Sequence, residues 1–62
     1  MTPEQTNIAE KMTAVKAACD KATAGPKKDR AVRHYQAAEK AHEASDYAET
    51  NKELDAAAKA IS

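Results

Sequence analysis

The sequence predicts an all-α chain, folded as a three-helix antiparallel bundle in up-down-up order. Three observations lead there. Sixteen of the 62 residues are alanine, the best helix former because it loses no side-chain entropy on folding. Val and Ile together number only four, so a sheet has almost no raw material. Strong helix-breaking signals inside the chain fall at two places, Gly25-Pro26 and Ser45-Asp46, which divides it into three segments of similar length.

The first helix is expected over about 3–24. Thr2 suits the N-cap, Pro3 suits the first helical position, and Gln5 at N3 completes a capping box. Ile8, Met12, Val15, Cys19 and Ala22 then recur at alternating spacings of four and three, one apolar stripe at the helical period. Gly25 is expected as the left-handed C′ residue that ends this helix, with Pro26 unable to continue it.

A second helix is expected over about 28–44, with Ala31, Val32, Tyr35, Ala38, Ala41 and His42 turned inward. The third, over about 46–61, opens with Asp46 and Glu49 as a capping box and carries Tyr47, Leu54, Ala57, Ala58 and Ile61 on one side. Short connections between helices of similar length favour antiparallel neighbours in a single domain spanning 1–62.

Ala38, the run Ser45-Asp46-Tyr47-Ala48-Glu49, Leu54 and Ala57 give residues 34–61 a resemblance to the helical hairpin of a tetratricopeptide repeat. The sequence departs from that pattern at His34, Ala37 and Ala41, where larger apolar side chains belong, and at Thr50, where it has a small alanine. It also lacks the closing proline and any second copy. The resemblance implies two helices that meet closely over alanines.

The large apolar side chains are only ten: Met1, Ile8, Met12, Val15, Cys19, Val32, Tyr35, Tyr47, Leu54 and Ile61. A core this thin in so short a chain predicts a monomer stability near or below ~5 kcal/mol. It also predicts association with a protein, another molecule of the same chain included. The residues expected to make that contact are Val32, Tyr35, Tyr47, Leu54 and Ile61, tyrosine being a frequent interface anchor.

Charge is balanced overall at ten basic and ten acidic residues, but it is not evenly spread. Residues 27–38 carry Lys27, Lys28, Arg30 and Arg33 against Asp29 alone, a net of +3, while residues 39–55 carry a net of −4. One reading docks those four cations on nucleic acid as a small regulator. The better one is dipole compensation: they fall at the end where helices 1 and 3 terminate, together with Lys21 and Lys59, and no aromatic platform accompanies them.

No catalytic constellation is expected, and no cofactor or metal. Cys19 has no histidine near it in sequence and sits on an apolar stripe. His34 and His42 are eight residues apart, ~12 Å along a helix, too far to share one ion directly. Glu39 and Glu43 beside His42 fit a solvated face. The lone cysteine, the absence of a basic or strongly apolar leader, and a longest apolar run of three alanines fit a soluble, cytoplasmic protein.

Overall fold

The computed structural model describes the backbone of residues 3–62 and the side chains of residues 7–62; the cap expected at Thr2 and Gln5 lies outside them. Three helices follow one another, α1 (Pro3–Lys21), α2 (Pro26–Glu43) and α3 (Tyr47–Ala60). Their side-chain ties fix the order as up-down-up. His34 meets Glu53 while His42 meets Tyr47, so α2 and α3 run antiparallel. Lys11 meets Asn51 and Asp55, while Ala18 and Ala22 share a groove with Ala58 and Ile61, so α1 and α3 run parallel. The result is a slim rod of 35 × 16 × 14 Å.

α1 ends three residues earlier than its composition suggests, and Gly25 belongs to the next helix. Pro26 takes the first position of α2, where its fixed φ fits and its missing N–H loses nothing. Gly25 is therefore the N-cap, at φ 157° and ψ −175°, a conformation open essentially to glycine alone. A Cβ there would touch nothing within 4 Å, so the requirement is one of backbone geometry and not of space. Residues 22–25 are left to reverse the chain.

The α2–α3 connection is tighter. Ala44 caps α2, Ser45 adopts the left-handed conformation at φ 61°, and Asp46 turns into α3. The Asp46 N–H donates to the Ala41 carbonyl at 2.9 Å and the Ser45 N–H to the His42 carbonyl at 3.0 Å, the paired bonds of a Schellman motif. Asp46 then accepts the Glu49 N–H on its Oδ1 at 3.2 Å. Only this half of the expected capping box forms, because the Asp46 N–H that Glu49 would have accepted is already committed to Ala41.

Ser45 and Gly25 make opposite predictions. A serine at φ 61° carries Cβ strain that glycine would relieve, so Ser45→Gly is expected to stabilise the fold by about 0.5–1 kcal/mol. Gly25→Ala is expected to destabilise it by about 1 kcal/mol or more, since alanine disfavours that φ. Urea melts of the two variants check both signs.

The core is small and centred on the α2–α3 interface, the most extensive of the three. Ala31, Ala38, Leu54 and Ala57 are fully buried, and Ile8, Val15 and Cys19 reach them from α1 with 6, 5 and 4 % of their surface exposed. Met12, Val32, Tyr35, Tyr47, Ala60 and Ile61 pack at the margin, half-buried. Two side chains depart from the expected pattern. Thr50 is fully buried, its hydroxyl donating to the Asp46 carbonyl at 2.7 Å, while Ala58 is exposed because α1 and α3 stand apart where it lies.

Candidate functional site

The five side chains expected to meet a partner do not form one face. Leu54 leaves the set: it has no exposed surface, so contact with a partner would require the bundle to open. Val32, Tyr35, Tyr47 and Ile61 are all half-buried at the rim of the core. Tyr47 opens α3 and Ile61 caps its other end, so fourteen residues, about 21 Å of helix, separate them. Tyr35 lies near Cys19 and Asp20, on the side of α2 that turns to α1.

Two shallow grooves flank α3 where it faces α1. One is lined by Ala14, Val15, Ala18, Ala22, Ala58 and Ile61, with Lys21 and Ser62 at its end. The other is lined by Asn7, Ile8, Tyr47, Ala48 and Asn51. Between them Lys11 spans the gap, donating to Asn51 Oδ1 at 2.6 Å and pairing with Asp55. Sequence reasoning missed the first groove. Its signal was the row Ala14, Ala18, Ala22, one residue beside the apolar stripe at Val15 and Cys19, which reads as helix propensity until α3 is placed against it.

The basic residues gather at one end of the rod but not on one face. Lys27, Lys28, Arg30 and Arg33 follow α2 in steps of about 100° per residue, which distributes them around its circumference. Among the described residues none of the four forms an ion pair. Lys21 and Lys59 occupy the last turns of α1 and α3, where they complement the negative ends of those helices. Asp46 and Glu49 complement the positive end of α3, and Asp29 that of α2.

The histidines have ordinary partners. His34 Nδ1 lies 3.0 Å from Glu53 Oε2, and since a carboxylate only accepts, the ring nitrogen is the donor. This contact crosses from α2 to α3 at a half-exposed position. The His42 ring sits against Tyr47, centroids 6.0 Å apart and tilted by 57°. Among the described residues no group of three His, Cys, Asp or Glu side chains converges as a metal site.

Cys19 is the one thiol, 4 % exposed, on the stripe that α1 turns to the core. Burial pushes its pKa up from the usual thiol value, Asp20 adds to the rise and Lys28 partly opposes it. Tyr35 is pushed up as well, by burial first and then by Glu39, Cys19 and Asp20. A thiol held neutral is a poor nucleophile, which is what a packing role requires and catalysis does not.

Both shifts have the same sign for stability. The unfolded chain loses these protons at lower pH than the folded one, so above the unfolded pKa the unfolded state binds fewer protons and stability falls. The fold is therefore expected to weaken as pH rises through about 8.5 and again through about 10, the ordinary thiol and phenol values. Cys19→Ser is expected to remove the first step and leave the second. Urea midpoints at pH 7, 9 and 10.5 check it, and a wild-type stability that is flat or rising over that range would contradict it.

No helix of the described residues is long and apolar enough to cross a membrane. Comparison with protein families, curated proteins and solved structures finds no match for this chain.

Proposed function

We propose that this chain is a non-enzymatic helical module that acts by protein–protein contact, in the first instance with a second copy of itself. The observation that carries the reading is how little of its large apolar surface the single chain encloses. Leu54 is the one large apolar side chain fully buried among the described residues, while Met12, Val32, Tyr35, Tyr47 and Ile61 stay half-buried at the rim. The accessible surface, 4334 Å², is about a tenth above the ~3,900 Å² that a monomer of this mass exposes on average. Burial of that rim against another chain would stabilise a bundle whose own core is thin.

The alternative, docking on nucleic acid through Lys27, Lys28, Arg30 and Arg33, has less in its favour. Those side chains radiate from α2 without a common face. Of the two tyrosines, Tyr35 points to α1 and Tyr47 lies at the far end of the rod, so neither gives bases a platform beside the cations.

Sedimentation equilibrium over a hundredfold range of concentration, under reducing conditions, tests the proposal. The expected result is an average mass that climbs above 6.6 kDa as concentration rises, with a Tm that climbs in parallel. A constant 6.6 kDa up to millimolar protein would overturn the self-association reading.

A further inference from the structure

The three helices are not held equally. Every side chain with no exposed surface, namely Ala31, Ala38, Thr50, Leu54 and Ala57, belongs to α2 or α3. α1 reaches the core through Ile8, Val15 and Cys19, each still slightly exposed, and through half-buried Met12 and Ala22. Its polar anchorage to the rest of the bundle is the reach of Lys11 to Asn51 and Asp55 on α3; among the described residues no side-chain hydrogen bond or ion pair joins α1 to α2. The connection is equally light, residues 22–25, entering α2 at a cap that makes no side-chain hydrogen bond. α1 can thus leave as a unit while the α2–α3 seam, its Schellman turn and the Asp46 cap all stay intact.

The surface so uncovered includes Leu54 and is too apolar to remain in water. One helix is complementary to it by construction, with an apolar row that matches its hollows and a lysine that matches Asn51 and Asp55. That helix is α1, and a second copy carries it.

We propose that two copies associate by reciprocal exchange of α1, each copy's Lys11 closing on the Asn51 and Asp55 of the other, with residues 22–25 as the hinge. This deepens the self-association reading and rests on it. The exchanged dimer repeats every helix–helix contact of the closed monomer, so the change in connection is confined to the hinge. The two-fold operation that relates the copies makes both exchanged contacts identical, which closes the assembly at two.

Charge reversal on both sides of the Lys11–Asp55 contact tests it. Lys11→Glu and Asp55→Lys each set like charges against one another when α1 packs on its own α3. In an exchanged dimer containing one copy of each variant, both contacts become opposite charges again. The two variants are unfolded together, refolded at millimolar concentration and weighed by native mass spectrometry, after wild type has been checked for dimers in the same way.

The expected result is a heterodimer enriched over its statistical share by about fivefold, the scale of exposed pairs acting at two contacts, and lost at high salt. The double variant Lys11→Glu/Asp55→Lys restores attraction within one chain and is expected to dimerise like wild type. Its circular dichroism guards against misfolding. If wild type dimerises and the mixed variants pair statistically, exchange is overturned and self-association by another face stands. A wild type that never dimerises overturns both.

Discussion

Leu54→Ala is expected to leave the chain largely unfolded at 25 °C. Leucine-to-alanine changes at fully buried sites lose about 3–5 kcal/mol, from the transfer of the removed carbons and from the cavity left behind. Leu54 meets that condition, with none of its surface exposed in the middle of α3. Its neighbours Ala31, Ala38 and Ala57 are too small to swing into the void. The loss is therefore expected at the upper end of the range, comparable with the entire ~5 kcal/mol or less expected of the monomer. Far-ultraviolet circular dichroism checks it, the prediction being a shallow, non-cooperative melt with most helical signal already gone. A sigmoidal melt within a few degrees of wild type would mean that the core is carried elsewhere.

The same substitution separates two roles for Leu54. Apolar periodicity placed it on the inner side of α3 and also made it attractive as an interface residue, and in a thin bundle those readings compete. Hydropathy says that a leucine seeks cover, not whether its own chain or another provides it. The helices were legible because alanine, the Gly25-Pro26 pair and the Asp46 cap act locally. So was the inner position of Ile8, Val15, Cys19, Ala31, Ala38 and Ala57, because the period of 3.6 fixes a face without knowledge of the neighbour.

What stayed hidden depended on partners distant in sequence or on a single local bond. Thr50 reads as polar, yet it is fully buried because its hydroxyl finds the Asp46 carbonyl one turn back. Gly25 reads equally well as the end of α1 or the start of α2. The fixed φ of Pro26 assigns it to α2. Ala58 lies on the inner side of its helix but stays exposed, since the gap between α1 and α3 at that level is a property of the assembled bundle. The grooves that such gaps create, and the clasp of Lys11 on Asn51 and Asp55, join residues about forty positions apart. No local pattern announces them.

Ala38→Leu is expected to be nearly as damaging as the loss of Leu54, for the opposite reason. Ala31, Ala38 and Ala57 are fully buried where α2 and α3 pack most extensively, and the small side chains there let the two helices approach closely. Three added carbons at position 38 have no hollow to enter. They either take a strained rotamer or push the helices apart, which would stretch the His34–Glu53 contact across the same interface and open Leu54 to water. Overpacking of this kind destabilises by about 1–3 kcal/mol, a large fraction of the total here. Ala17→Leu supplies the control, because Ala17 is exposed on α1 and the same change there is expected to stay within about 0.5 kcal/mol. Urea midpoints of the two variants decide the matter. A clear loss at 38 beside little change at 17 would establish that the alanines of the seam are there for their size. Equal, small effects would mean that the seam yields and that alanine was chosen only for its helix propensity. A leucine at 38 that stabilised the fold would go further, showing that the α2–α3 interface holds unfilled space.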